Sequence, residues 1–192
     1  MDQVLEVTLL VTQTLERLGI PYLVGGSLAS SLHGIPRATQ DVDIVAAVRR
    51  EHVASLVAAL QASFYIDAEM IREAIGRGSS FNVIHLASLF KVDLFVARDD
   101  VPAHQQMERR QTHVISEQPR RELMVASPED TVLHKLRWYR MGDEVGERQW
   151  SDVLGVLRVR GAALDAEYLL RTAALMGVAD LLERALGEAG MR

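Results

Sequence analysis

The sequence has no cysteine among its 192 residues. Disulfide bonds and zinc sites with thiolate ligands are therefore excluded, and the composition is compatible with a reducing cytosol. Proline is scarce, with 5 residues, and no segment is biased enough in composition to indicate a disordered or fibrous protein. What remains is an ordinary globular chain, large enough to bury one core with a small appended bundle.

Long hydrophobic runs are absent as well. No stretch approaches the roughly 20 apolar residues that a transmembrane helix requires. The N-terminal residues Met1, Asp2 and Gln3 include an acid where a secretory signal carries basic residues, and the segment that follows is amphipathic. We therefore expect a cytoplasmic protein that does not associate with membranes.

The chain also lacks an excess of positive charge. Its formal net charge is −5, whereas surfaces that bind nucleic acids need clustered Lys and Arg. Two arginine pairs, at 109–110 and 120–121, permit a polyanionic partner, but a solvated charged face is the better explanation for them.

Hydrophobic spacing divides the chain into two parts. Up to about residue 126 it predicts helices at 4–18, 28–32, 50–60, 67–75 and 101–110, and strands at 21–24, 41–45, 80–86, 89–96 and 123–125. Beyond that it predicts only helices, at 131–141, 147–159, 165–176 and 178–186. Helix caps are predicted at Ser27, Asp67, Asp100 and Ser127. We expect an α+β fold, with a mixed β-sheet and flanking helices in residues 1–126 and a C-terminal helical bundle in residues 127–192 that packs on it.

Two aspartates open the second predicted strand, in the sequence Asp41-Val42-Asp43. Side chains alternate along a strand, so both carboxylates project from the same face. Like charges at this distance repel, and a hard divalent cation such as magnesium relieves the conflict. The residues that follow are entirely apolar, and an unpaired carboxylate beside a buried strand is costly. A metal site is therefore favoured over a merely solvated strand face.

Asp93 lies in another apolar strand, at 90–96. If this strand neighbours the Asp-x-Asp strand, Asp93 completes a cluster of three carboxylates, which suits metal-assisted displacement at phosphorus. The alternative is an ion pair with Lys91, whose side chain points to the same face as that of Asp93.

The turn Gly25-Gly26-Ser27 lies between a predicted strand and a predicted helix. Glycines let the backbone approach a phosphate closely, and the start of the helix offers free N–H groups. Ser27 adds a hydroxyl donor. The same three residues are also common in ordinary turns. They are evidence for a phosphate site only because of the order in which the elements follow: strand, Gly-Gly-Ser, helix, loop and Asp-x-Asp strand.

In this order the residues resemble the nucleotidyltransferase superfamily, which has a polymerase-β-like catalytic fold. Within it, His33-Gly34 followed by the segment from Arg37 to Asp41 is most similar to the AbiEii-type nucleotidyltransferases, bacterial proteins found as toxin components. Lys91-Val92-Asp93 and the downstream Lys135 also fit that group. The resemblance covers most of the catalytic half and the helical half only loosely, and it implies a nucleotidyltransferase-like sheet.

The resemblance implies an enzyme that transfers a nucleoside monophosphate from a nucleoside triphosphate, ATP or GTP among the candidates, and releases pyrophosphate. Asp41 and Asp43 would bind magnesium, or manganese in its place, and Asp93 would join them and help to activate the acceptor hydroxyl. A second set would contact the nucleotide and its phosphates: Gly25, Gly26, Ser27, Arg37, Thr39 and Lys135.

The acceptor stays open at this point. It is RNA, especially tRNA, or a protein hydroxyl, or a small molecule such as an aminoglycoside, and the resemblance adds a cognate toxin or antitoxin as a partner. A second hypothesis is a non-catalytic nucleotide-binding or interaction module that retained the fold. A third, another magnesium phosphotransferase, lacks support because the sequence contains no P-loop motif.

Other polar and aromatic residues have structural interpretations that compete with functional ones. Lys135 is either a phosphate ligand or an exposed surface lysine. Asp152 is interpreted as the partner of Arg148 in an i,i+4 helix pair. Trp150 is predicted in the core, Trp138 is expected to pack rather than to stack on a base, and His33 is expected to have a local structural role.

Overall fold

A computed structural model describes residues 3–39 and 41–191. The acidic N-terminal residue Asp2, the loop residue Gln40 and the terminal Arg192, on which parts of the predictions rest, lie outside these ranges. Within them, none of the helices is both long enough and apolar enough to cross a bilayer.

The chain divides into two compact units. The sheet unit comprises Met1–Gly25 and Thr39–Val125, and the helical unit comprises Gly26–Ala38 and Ala126–Arg192. Residues 26–38 thus group with the C-terminal helices, although they come early in the sequence. The domain boundary near residue 126 stays a prediction.

The sheet unit contains a mixed sheet, as predicted from the sequence. In the described residues it has seven strands: β1 Tyr22–Val24, β2 Asp41–Ala46, β3 Phe64–Tyr65, β4 Ser80–His85, β5 Lys91–Val96, β6 Gln111–Glu117 and β7 Arg120–Val125. Their order is β3-β4-β5-β2-β1-β7-β6. The pairs β2–β5 and β1–β7 are parallel, and the other neighbours are antiparallel.

Alternation along the central strands explains which face of the sheet is buried. Val42, Ile44 and Ala46 of β2 are almost completely inaccessible, while the aspartates between and before them lie on the other face. The helices of this unit are α1 Gln3–Arg17, α3 Val53–Leu60, α4 Ala68–Arg77 and α5 Val101–Arg109, and a short 3-10 turn, Arg50–His52, precedes α3.

Two helix starts of the sheet unit follow the capping rule and confirm the sequence prediction. The Asp67 carboxylate accepts a hydrogen bond from the Met70 amide at 2.8 Å, and that of Asp100 accepts one from the Ala103 amide at 2.9 Å. Each carboxylate satisfies a backbone donor that the helix leaves unpaired.

Two strands, β3 and β6, were not predicted from the sequence. β3 has only two residues, and β6 is an edge strand that is mostly exposed on both faces, so neither shows the alternation on which the prediction depends. β6 is held instead by its antiparallel pairing with β7, which begins at Arg120 rather than at the predicted Leu123.

The helical unit is built from α2 Gly26–His33, α6 Pro128–Met141, α7 Glu147–Arg160, α8 Ala166–Leu175 and α9 Ala179–Ala189. The predicted C-terminal helices are all present, with bounds shifted by a few residues. Ser127 caps α6 as expected, with its Oγ accepting from the Asp130 amide at 3.1 Å. The core of this unit is apolar and includes Val132, Leu133, Leu136, Val153, Val156, Leu157, Leu169 and Leu182.

The predicted cap at Ser27 is wrong. Helix α2 already begins at Gly26, so Ser27 lies within its first turn, and the Ser27 hydroxyl oxygen accepts a hydrogen bond from a side chain instead. Gly26 has a positive φ of 55°, a left-handed conformation that glycine adopts at the entry to the helix without steric cost.

Helices α2 and α7 approach closely at Gly34, which directly follows α2. A Cβ atom on Gly34 would lie 2.8 Å from the Val156 nitrogen and 2.9 Å from the Gly155 carbonyl carbon. Both are backbone atoms, so the contact cannot relax by moving a side chain. Gly34 therefore sets the packing distance between these helices.

We predict that Gly34→Ala lowers the free energy of unfolding by about 1–3 kcal/mol, the usual cost of overpacking. The matched control is Gly76→Ala in α4, where an added Cβ meets nothing within 4 Å. Because Gly76 is an exposed helical glycine, its substitution by alanine should raise the free energy of unfolding by about 0.5–1 kcal/mol. Urea unfolding followed by circular dichroism measures both changes, and equal stability of the two variants would contradict the close-contact argument.

Candidate active site

The central parallel strands bring the predicted carboxylates together. In the register of β2 and β5, Asp43 lies opposite Asp93, and Asp41 lies opposite Lys91. The strands are therefore neighbours, as a cluster of three carboxylates requires. We refer to Asp41, Asp43 and Asp93 as the carboxylate row. The backbone N–H of Gly25 donates to the Asp43 carbonyl oxygen at 2.8 Å, which ties the end of β1 to the same row.

Each flank of this carboxylate row has a polar partner. The Thr39 hydroxyl lies 3.1 Å from Oδ1 of Asp41 and 2.8 Å from its carbonyl oxygen. Lys91 Nζ lies 2.7 Å from Oδ2 of Asp93, so the ion pair expected as the alternative for Asp93 is present. The hydrogen bond to Asp93 raises the pKa of Lys91, and the negative charges of Asp93, Asp41 and Asp43 act in the same direction.

The chemistry of this row suits a divalent metal. Carboxylate oxygens are the donors that magnesium and manganese prefer, and three carboxylates on two adjacent strands supply them. The side chains of Asp93 and Asp41 nevertheless contact other partners, Lys91 and Thr39 respectively. Across residues 3–39 and 41–191, no three His, Asp or Glu side chains are already arranged to hold an ion. The donor set fits a metal, and the present arrangement is that of an ion-paired state.

The helical unit contains four of the predicted site residues: Gly26, Ser27, Arg37 and Lys135. Arg37 donates to both oxygens of Asp152, from Nε and from Nη2, each at 2.9 Å. The Arg37 Nη2 atom also lies 2.6 Å from the Ser27 hydroxyl oxygen. Lys135 Nζ lies 2.7 Å from Oδ2 of Asp152. One carboxylate thus holds both predicted phosphate-binding cations.

This ion network is largely shielded from water. The side chains of Asp152 and Lys135 are 7% and 5% exposed, and that of Arg37 is 33% exposed. Burial on its own raises the pKa of Asp152, but the hydrogen bonds and charges of Arg37 and Lys135 outweigh burial, and the net shift is downward. Asp152 is therefore a buried anion stabilised by two cations.

Two structural interpretations from the sequence are corrected by this network. Lys135 is not an exposed surface lysine, because its ammonium is buried against Asp152. Asp152 pairs with Arg37 and Lys135 rather than with Arg148. The sequence offered only the i,i+4 spacing, which cannot reveal a partner 115 residues away in the chain.

His33 has the structural role that was expected. Its ring is fully buried, with Nε2 at 2.7 Å from the Ala126 carbonyl oxygen and Nδ1 at 3.0 Å from Nη2 of Arg160. Arginine only donates, so Nδ1 must accept and Nε2 must carry the proton. This tautomer ties the end of α2 to α7 and to the chain before α6.

The two tryptophans differ from expectation. Trp150 lies at the edge of the helical core rather than inside it, with the Arg184 guanidinium 3.8 Å above its ring. Trp138 is 48% exposed and so does not belong to the core.

Comparison with known proteins identifies the family. A model of the family described as "Nucleotidyl transferase AbiEii toxin, Type IV TA system" matches residues 16–185. The chain belongs to the AbiEii nucleotidyltransferase toxin family. The matched residues include both the carboxylate row and the Asp152 network, and the resemblance inferred from the motifs is confirmed. Among curated protein sequences, none matches this chain significantly.

Solved structures support a nucleotidyltransferase fold for this AbiEii-family chain. An antigenic nucleotidyltransferase-like protein from Paracoccidioides brasiliensis is 19% identical, with a TM-score of 0.57, over 97% of this chain and 93% of its own. The antibiotic-resistance factor ANT(2'')-Ia is 18% identical, with a TM-score of 0.56, over 96% and 98%. The lincosamide antibiotic adenylyltransferase LnuA, bound to lincomycin, is 13% identical, with a TM-score of 0.52, over 81% and 96%.

We predict that Asp152→Asn weakens the helical unit of this AbiEii-family protein at pH 7 by about 3 kcal/mol, because the buried Lys135 and the partly exposed Arg37 lose their anion. The pKa of Asp152 is lowered on folding, so its contribution is present above the unfolded value and is lost as the pH falls through the folded one. The difference between wild type and variant should therefore shrink on acidification.

Urea unfolding at pH 7 and at successively lower pH tests this expectation. The control is Glu167→Gln, which removes an exposed carboxylate of α8 from the same unit. A stability difference that stays constant down to pH 2, or that is absent at pH 7, would contradict the assignment of Asp152 as a stabilised anion.

Proposed function

We propose that the protein is a magnesium-dependent nucleotidyltransferase that moves a nucleoside monophosphate from a nucleoside triphosphate onto an acceptor hydroxyl. The main support is the register of β2 and β5, in which Asp43 lies opposite Asp93 two residues after Asp41. Membership of a nucleotidyltransferase family agrees with this chemistry. Manganese, which takes the same oxygen ligands, is the expected substitute for magnesium.

In this proposal Asp41, Asp43 and Asp93 would hold the metal, which would offset the negative charge that develops around the α-phosphorus of the transferred nucleotidyl group. Asp93 also accepts the proton of the acceptor hydroxyl. The acceptor oxygen forms a bond to the α-phosphorus, the bond from that phosphorus to the β-phosphate oxygen breaks, and pyrophosphate leaves with the electron pair. Thr39 orients Asp41 through the hydrogen bond between their side chains.

The triphosphate is assigned to Gly25, Gly26 and Ser27, with Arg37 and Lys135 as cations. Glycine backbone and the N–H groups at the start of α2 suit phosphate oxygens, and Ser27 offers a hydroxyl. Fixed cations stabilise a leaving pyrophosphate without reorganising during the reaction. Asp152 holds Arg37 and Lys135 in place, so we assign it as a positioning residue that the sequence alone did not reveal.

The biological role proposed is that of a toxin component with a cognate antitoxin, acting in the cytoplasm. The family description names a toxin, whereas ANT(2'')-Ia and LnuA are named for antibiotics. RNA, a protein hydroxyl and a small molecule therefore remain the acceptor classes to compare. The competing proposal is a non-catalytic module that binds nucleotide or a protein partner.

We predict that the wild-type protein transfers label from one of the four α-labelled nucleoside triphosphates to an acceptor when magnesium is present. The assay supplies total cellular RNA, total protein and an aminoglycoside in separate reactions. Asp41→Asn and Asp43→Asn should each reduce transfer to background, because each removes a metal ligand. The control Glu73→Gln changes a surface carboxylate of α4 and should retain full activity.

Transfer that persists in both Asn variants would rule out the assigned metal ligands. Nucleotide binding by wild type without transfer to any of the three acceptor pools would favour the non-catalytic module. Calorimetry with each triphosphate, with and without magnesium, separates these outcomes.

A further inference from the structure

Lysine is used at only two positions in this chain, 91 and 135, although Lys and Arg together number 21. Each lysine forms an ion pair with an aspartate of the candidate site: Lys91 with Asp93 and Lys135 with Asp152, both at 2.7 Å. A lysine ammonium is a compact charge on a flexible stem, whereas an arginine guanidinium grips a carboxylate with a rigid fork. The partner of Asp93 is therefore the cation that exchanges partners more readily, whereas Asp152 is bound by the Arg37 fork as well.

The two lysines differ in their freedom to move. The Lys135 side chain is 5% exposed and is enclosed with its partner, so it is fixed in place. The Lys91 side chain is 45% exposed, while Asp93 beneath it is 20% exposed. An ion pair with one partner in solvent is weak, because water screens the attraction and the flexible chain gains entropy on release. Lys91 can therefore leave Asp93 at little cost.

Lys91 is also close to the whole carboxylate row. It lies opposite Asp41 in the register of the strands, and it contacts Asp93 directly. Asp43 lies opposite Asp93 in the same register, so the Lys91 side chain and the three carboxylates belong to two adjacent strands. The Lys91 ammonium thus offsets the mutual repulsion of the same three carboxylates that a divalent cation would bind.

We propose that Lys91 is an internal counter-ion that competes with the divalent metal for Asp93, so that metal loading requires the ammonium to leave this carboxylate. The inference rests on the proposed function, since it takes Asp93 as a metal ligand. Lys91 holds the row together in the ion-paired state and lowers the affinity of the row for metal. Lys91 is on this account a positioning residue, acting through Asp93.

Titration of the purified protein with Mn²⁺ alone, followed by the electron paramagnetic resonance signal of the free ion, tests this proposal. Lys91→Met removes the charge and keeps most of the stem, and it should bind Mn²⁺ on the order of tenfold more tightly than wild type. Lys91→Gln should change the affinity in the same direction. Lys91→Arg keeps the charge and can bind both oxygens of a carboxylate at once, so its Mn²⁺ affinity should be equal to or lower than that of wild type.

The matched control is Arg77→Met, which breaks another exposed ion pair of the sheet unit, that with Glu73 at 2.8 Å. Its Mn²⁺ affinity should equal that of wild type. Circular dichroism establishes that each variant is folded before titration, and Asp43→Asn defines the signal that does not come from the carboxylate row.

The outcomes separate this proposal from the proposed function. If wild type binds Mn²⁺ in an Asp43-dependent manner and neither Lys91→Met nor Lys91→Gln binds more tightly, the counter-ion role is overturned and the metal site stands. If wild type shows no Asp43-dependent binding, the metal site and the counter-ion role both fail. Tighter binding by Lys91→Arg as well as by Lys91→Met would also overturn the competition, because charge would then not be its cause.

Discussion

The parallel pairing of β2 with β5 is the constraint on which the candidate chemistry depends. Val42 and Ile44 on one strand, and Val92 and Leu94 on the other, are almost completely buried on one face of the sheet. A slip by one residue would turn these side chains outward and the charged ones inward, so burial fixes the register strongly. The same register sets Asp43 opposite Asp93. Core packing thus determines the position of the carboxylates.

In the helical unit, the burial of a charged carboxylate has to be offset by nearby positive charge. A carboxylate as buried as that of Asp152 is tolerated only because Arg37 and Lys135 both bind it, one with a two-pronged contact and one with a single ammonium. Removing Asp152 leaves the buried Lys135 ammonium without its anion, so the three side chains depend on one another. The close helix contact at Gly34 lies three residues before Arg37 and supports the same arrangement.

Sequence reasoning succeeded where a local rule was sufficient. Short apolar runs located β2 and β5, and capping residues located the starts of α4, α5 and α6. It failed where the structure depends on distant partners. The exposed edge strand β6 has no alternation and is defined by its pairing with β7. Asp152 looked like half of an intrahelical pair, and only the fold brings Arg37 to it.

The sequence by itself determined the class of protein, because a glycine turn, an Asp-x-Asp strand and a later strand aspartate follow one another in an order that matches the nucleotidyltransferases. It also determined which side chains face away from the core, since alternation is a local property of a strand. Only the tertiary structure decided the partners of the charged residues. Lys91 binds Asp93, and Lys135 and Arg37 share Asp152, because ion pairs form between groups that folding brings within reach, whatever their separation along the chain.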